Sequence, residues 1–403
     1  MLIKHIKASG LLSFGPKGIS LPMRKLNVLI GPNGSGKSNL LEVINLFKEC
    51  VSPNRSLAGP VMDAGGIDEW LWKGDWHHNN NPLPARIECV VAAPDNVGIR
   101  HGMEFYGHKN ELRLADESIA MAEPVGDEKV PWWFYHMNHG DKPFVAHLHD
   151  RTGPEGKEET SRIDHGELTP GASILTQLRA PGMYRWFRYL ETQYSSIQMH
   201  RDWSFGPSSQ VHSPARADAR QDTLGRAGQN LAVMVAAMKA VERRKIVDIM
   251  QALYPSIRGV HSKPVTGGSL QLYLEEEGGA EISASRLSDG TLRFLSLLVI
   301  LLSPTPAPLI VIEEPELGLH PDVSREVARL LIEASERTQI VVTTHSRLLV
   351  DYLGDDPESI IVCDKQEGES VFQRLDGKRM KVWLEDFSLG ELWSKGELGG
   401  NRW

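Results

Sequence analysis

Apolar positions along the chain switch repeatedly between strand-like and helix-like spacing. From Leu2 to Ile30 they sit in short alternating or β-branched runs, LIKHIKASGLLSF and LNVLI, which predict strands. A glycine-rich turn follows, and SNLLEVINLFKEC then spaces Leu40, Leu41, Ile44 and Phe47 as the buried stripe of a helix. ARIECVVAA and the segments after it, to about residue 150, predict short strands of an antiparallel sheet. Residues 50–83 are turn-rich around GGIDEWLWKGDWHHNNNP, and 152–165 form a polar stretch. Residues 171–195 and 224–254 predict helices, the second long and amphipathic. Beyond them SLQLYLEEE predicts a strand, and SRLSDGTLRFLSLLVILL a polar turn opening an almost wholly apolar helix. PLIVIEE and TQIVVTTHS are apolar nearly throughout, as parallel strands covered on both faces are. DVSREVARLLIEAS between them reads as the helix of a right-handed crossover.

These elements predict an α/β fold whose mixed, mostly parallel core sheet is assembled from both ends of the chain. Three parts are expected: 1–165, the first part of the head with a β-rich subdomain; 166–260, a helical insert; and 261–403, the second part of the head with a C-terminal tail. The chain has 403 residues, enough for a large core. Its longest apolar run, Leu292 to Leu302, is interrupted by Arg293 and Ser296 and falls short of the ~20 residues of a membrane span. The N-terminus lacks the apolar block of a signal peptide, and three scattered cysteines form no disulfide framework. A cytoplasmic protein with no membrane partner is expected. The net charge is −8, yet 179–245 carries 11 Lys/Arg against 5 Asp/Glu. That excess suits the phosphate backbone of DNA and equally suits a solvated helical face.

Between the strand LNVLI and its helix, residues 31–38 read GPNGSGKS, the full G-x-x-x-x-G-K-[ST] pattern in the context it requires. Glycines let the backbone N–H groups of Asn33, Gly34, Ser35 and Gly36 approach phosphates, and the helix N-terminus adds its dipole. Lys37 supplies a cation to the β/γ-phosphates of ATP, and Ser38 a hydroxyl to Mg²⁺. PLIVIEE ends in paired carboxylates, which are costly at the end of a buried strand unless a cation or a bound water uses them. Glu313 is the expected Mg²⁺ holder and Glu314 the base that orients the attacking water. His345, at the end of QIVVTTHS, is placed to hydrogen-bond the γ-phosphate or that water. The cluster His136, His139, His147, His149 and Asp150 fits no standard zinc spacing, and Trp132–Trp133 reads as packing before base stacking.

GPNGSGKSNLLEVI, LSDGTLRFLSLL, IEEPELGLHP and VVTTHS, in that order, resemble the ATPase heads of the SMC, RecF and OLD group. More closely they resemble the single-chain AAA-type ATPases related to that group, many of them tied to bacterial defence or mobile elements. The likeness covers residues 1–50 and 224–362. It implies an ABC-ATPase-like head with an inserted lid, and Asn39 after the Walker A serine is typical of this branch. By position Leu287–Thr291 match the ABC signature, Glu316–Pro321 the D-loop region and His345 the switch histidine. Ser288 and Gly290 would then meet ATP held by a second copy, which implies a nucleotide-dependent homodimer. Fifty-eight residues follow His345, too few for the nuclease domain that OLD proteins add there, so a separate effector protein is expected, in DNA repair or antiviral defence. An ATP-gated nuclease acting alone and a transporter subunit are the other readings.

Two features depart from the family. The signature reads LSDGT, with Asp289 where glycine is usual, so its carboxylate should point away from phosphate and cap the helix. No glutamine lies between Ser38 and Thr176 to face the metal; His77, Asn79, Asn80 and Asn81 are the candidates to replace it.

Overall fold

The computed structural model describes residues 1–52, 57–74, 84–94, 97–124, 129–138, 145–150, 159–164, 168–169, 171–178, 185–201, 205–206 and 209–399, with backbone alone for 138, 145–150 and 159–164. The core is a six-stranded sheet in the order β10 (Gln198–His200), β15 (Leu309–Glu313), β16 (Gln339–Thr343), β3 (Leu26–Ile30), β17 (Ile360–Gln366) and β18 (Glu369–Arg374). The first five strands are mutually parallel, and β18 closes the edge as an antiparallel hairpin with β17. The one N-terminal strand, β3, lies between two C-terminal ones, so the two ends of the chain build a single sheet.

Both faces of this sheet are covered at its centre, which is why β3, β15 and β16 carry no polar alternation. Along β3, Leu29 belongs to one core, with the helix α1 (Lys37–Glu49), while Val28 and Ile30 belong to the other. That second core is filled by α8 (Asp289–Leu301) and α9 (Ser324–Ser335). Every residue of α8 from Thr291 to Leu301 is buried.

On the α1 side lies an eight-stranded antiparallel sheet, in the order β2 (Ile19–Pro22), β1 (Ile3–Ser9), β4 (Ala85–Ala92), β5 (Gly98–His108), β6 (Glu111–Met121), β7 (Trp133–Asn138), β8 (Val145–Asp150) and β9 (Glu159–Asp164). Gln339 joins it to the core sheet: its carbonyl accepts from the N–H groups of Leu2 and Ile3, and its amide donates to the carbonyls of Ile3 and Arg24. Short helices α2 (Ala58–Asp63), α3 (Ile67–Trp70) and α4 (Ile174–Gln177), with the longer α5 (Arg185–Ser195), complete this side.

The third sheet runs β11 (Ala215–Arg216), β13 (Ser269–Glu276), β12 (Ile257–Val265), with β14 (Glu281–Ser283) paired to β13. Residues 166–260, read from the sequence as a helical insert, thus contain helices but also β10 of the core sheet and strands of the third. The long helix expected over 224–254 is two, α6 (Leu231–Ala237) and α7 (Ala240–Met250). Met238 and Lys239 between them are extended, and the Glu242 side chain accepts from Lys239 N–H to start α7 afresh. The chain ends with α10 (Arg347–Asp351), α11 (Gly377–Trp383) and α12 (Leu389–Ser394). Among the described residues no helix is long and apolar enough to cross a membrane.

Candidate active site

The site forms where β3, β15 and β16 end together at their C-terminal edge, the place where open parallel sheets bind ligands. Residues 31–36 turn from β3 into α1 by a path that leaves no room for a side chain at its two ends. At Gly31, φ +147°, a Cβ would lie 2.1 Å from the Cys363 carbonyl oxygen; at Gly36, φ +98°, one would lie 2.3 Å from Ser370 Oγ. The side chain of Lys37 folds back over this turn, its Nζ donating to the carbonyls of Gly31 (2.7 Å) and Pro32 (3.0 Å). Burial lowers its pKa, against the pull of Cys363, Glu314 and Glu313. The hydroxyl of Ser35 is buried without a hydrogen-bond partner, an orphan that an anion in the turn would satisfy. Asn39, expected among the nucleotide-binding residues, donates its amide to Ser13 Oγ (2.6 Å), tying α1 to the loop after β1.

Ser38 and Glu313 come from elements 275 residues apart and meet directly, Ser38 Oγ donating to Glu313 Oε1 at 2.5 Å. A hydroxyl and a carboxylate side by side are the hard oxygen donors that Mg²⁺ takes. The second oxygen of Glu313 accepts from Arg201 Nε at 2.9 Å, and Arg201 Nη1 donates to Glu42 on α1 at 2.5 Å. Arg201 stands directly after β10, the strand beside β15. The sequence offered His77, Asn79, Asn80 and Asn81 as polar residues facing the metal; these lie outside the described residues, while Arg201 reaches Glu313 beside Ser38. The pattern held no signal for it, because a lone arginine after a three-residue edge strand resembles any surface charge.

Glu314 adopts φ +48°, a left-handed conformation uncommon outside glycine. Its N–H donates to the carbonyl of Thr343 at 3.0 Å, which turns the carboxylate out of the sheet toward His345, whose Nε2 lies 3.6 Å from Glu314 Oε1. Burial, then Lys37, lowers the His345 pKa against the pull of Glu314, so at neutral pH the ring is uncharged. Glu316 holds the backbone there: one oxygen accepts from Thr344 Oγ1 (2.5 Å), His345 N–H (3.1 Å) and Ser346 N–H (3.2 Å). Beside Gly34 and Asn39 opens a cavity of about 660 Å³ lined by Leu12, Trp72, Lys73 and Lys365.

The turn Leu287–Thr291 makes its described contacts elsewhere, none with residues 31–38. Ser288 is the N-cap of α8, accepting from Thr291 N–H at 3.2 Å. Gly290 lies against the Gly318 carbonyl, 3.2 Å from where its Cβ would be. Asp289 is not the cap. Its carboxylate meets His212 Nε2 at 2.8 Å. Within the basic stretch 179–245, Arg216 and Arg220 are each paired bidentately, with Asp218 and Asp222. No cluster of three or more metal-ligating side chains occurs among the described residues. His136 stacks on Trp133 with ring centroids 4.7 Å apart, His139 lies outside the described residues, and the side chains of His147, His149 and Asp150 are not described.

Residues 26–91 and 199–351, more than half of the chain, match the model of a family described as "AAA domain, putative AbiEii toxin, Type IV TA system". Among solved structures, an SMC head bound to the C-terminal winged-helix domain of ScpA superposes with a TM-score of 0.55 at 16% identity, over 94% of this chain and 99% of that one. An SMC head from Pyrococcus furiosus gives a TM-score of 0.49 at 16% identity over 95% and 98% of the two chains, and one from Thermotoga maritima 0.46 at 15% over 93% and 100%. At such identities the first of these establishes the fold, a P-loop head of the ABC and SMC type.

Proposed function

The chain belongs to that AAA-domain family, and from this premise we propose that it is an ATP hydrolase that dimerises on ATP and acts as a switch on a separate effector protein. The observation that carries the reading is the convergence of Ser38, Glu313, Glu314 and His345 at the end of the turn 31–38. In this reading the phosphates occupy the turn, satisfying Ser35 and drawing Lys37 off the carbonyls of Gly31 and Pro32. Trp72 lines the cavity that would take the base and ribose. Ser38 and Glu313 would hold Mg²⁺, which when bound neutralises β/γ-phosphate oxygens. Glu314 takes the proton of the attacking water, and uncharged His345 hydrogen-bonds the γ-phosphate.

Ser288 and Gly290, at the N-terminus of the thirteen-residue helix α8, complete the site on a second copy, with hydroxyl, N–H groups and helix dipole directed at the γ-phosphate. We place this switch in antiviral defence or DNA repair; the family's description as a toxin of a toxin–antitoxin system supports the defence role. Glu314→Gln decides the matter. It should cut hydrolysis by at least a hundredfold and accumulate an ATP-bound dimer, read by light scattering on a sizing column. Unchanged hydrolysis, or a monomer under saturating ATP, would overturn the proposal.

A further inference from the structure

Asp289 sits in the turn that the proposed dimer presses against a phosphate, and an uncompensated carboxylate there would repel it. The fold supplies the compensation. His212 comes from the 3-10 turn Gln210–His212, 77 residues earlier in the chain. Its Nδ1 lies 2.9 Å from the Ala284 carbonyl oxygen and its Nε2 2.8 Å from Asp289 Oδ1. A carbonyl and an ionised carboxylate both only accept, so the two contacts are made together when both ring nitrogens donate, as an imidazolium does. The histidine side chain is 12% exposed and the aspartate 45%. The cation is therefore seated inside the turn and the carboxylate is its outward partner.

The seat is built by packing: Gln210–His212 lies against the turn Ala284–Arg286 just before the signature and against the turn Arg226–Gly228. Arg226, Ala227 and Gly228 line the same cavity as Arg201 and Glu313. Ser288 already caps α8, so a capping role for Asp289 is filled.

We propose that His212 is a positioning residue for ATP-driven dimerisation: it neutralises Asp289 and turns it aside, so that Ser288 and Gly290 can meet the γ-phosphate bound to a second copy. This rests on the proposed dimer and adds the residue that makes LSDGT workable in place of a glycine-only turn. A signature with glycine at 289 would need no such partner.

The test is a rescue experiment in the Glu314→Gln background, with dimerisation on ATP measured by analytical ultracentrifugation and binding to the monomer by a fluorescent ATP analogue. His212→Gln should weaken dimerisation tenfold or more while analogue affinity stays within twofold. Adding Asp289→Gly should restore dimerisation to within threefold of the parent, because the charge that needed neutralising is gone. A merely structural histidine would not be rescued in this way, so failure of the double variant to recover overturns the inference, as does unimpaired dimerisation of His212→Gln. If His212→Gln does not fold, Asp289→Gly alone decides: it should dimerise at least as tightly as the parent, and loss of the dimer overturns the inference. A Glu314→Gln parent that stays monomeric under ATP rejects the dimer itself, an outcome distinct from failure of the variants alone.

Discussion

Arg201 and Glu313, 112 residues apart, share a 2.9 Å ion pair that puts a guanidinium against the carboxylate expected to hold Mg²⁺. The same guanidinium reaches Glu42, one helical turn after Ser38 on α1. Glu313 therefore lies between Ser38 and Arg201, and α1 is clamped to β15 by charge as well as by packing.

Removing that guanidinium leaves two partly buried carboxylates facing each other. Arg201→Ala should lower nucleotide-free stability by about 2 kcal/mol, less than the loss of a fully buried pair. A bound divalent cation would replace the missing charge, so Mg²⁺ with ATP should raise the melting temperature of the variant more than that of the parent. Equal thermal shifts in the two proteins would show that Arg201 does not neighbour the metal.

Glu314 carries a left-handed backbone with a side chain attached, a conformation that costs roughly 1–2 kcal/mol. Glycine removes that strain and adds unfolded-state entropy worth about 0.5–1 kcal/mol. Glu314→Gly should thus be as stable as the parent or up to about 1 kcal/mol more so, yet inactive. Glu314→Gln keeps the Cβ and should match the parent in urea unfolding. A glycine variant clearly less stable than the glutamine variant would contradict the strain.

Glu316 acts through the backbone of His345 and Ser346. Glu316→Gln replaces a carboxylate, one oxygen of which is shared by three donors, with an amide, which lets the His345 loop drift. The expected result is a kcat about ten- to a hundredfold lower, with KM for ATP within twofold. A change confined to KM would place Glu316 in nucleotide binding instead.

His200 ends β10 almost fully buried, and burial, reinforced by Lys48, pushes its pKa down to about 4. The folded protein therefore holds this ring neutral while the unfolded chain protonates it near pH 6.5. Its contribution is intact above pH 6.5 and is lost as pH falls toward 4, by about 3 kcal/mol over the window. His200→Gln should lose about 2 kcal/mol less than the parent between pH 6.5 and 5, measured by urea unfolding at each pH. Parallel pH dependence in the two would count against a neutral buried ring.

Residues that act as neighbours in the chain were legible without the fold. The turn 31–38 is one, because eight consecutive residues with glycines at set places specify a local backbone path. Glu313 and Glu314 are another, since an apolar run ending in two acids marks a strand emerging from a core. The parallel strands were readable for the same reason, as burial on both faces removes polar residues from them. The expected single helix over 224–254 was not, because the extended backbone at Met238–Lys239 interrupts an unbroken apolar pattern.

What the tertiary structure alone decided is which side chains face one another across the sheets. The order β10-β15-β16-β3 brings Arg201 to Glu313 and Ser38 to the same carboxylate, and the packing of Gln210–His212 against Ala284–Arg286 brings His212 to Asp289. Those pairs span 112, 275 and 77 residues. Local spacing carries no record of them, because a hydrogen bond needs two groups within about 3 Å, and only the strand order and helix packing set such distances between remote segments. The sequence determined the chemistry available at each end of the parallel strands; the fold determined that Asp289, which departs from the glycine usual in its turn, meets His212 Nε2 at 2.8 Å.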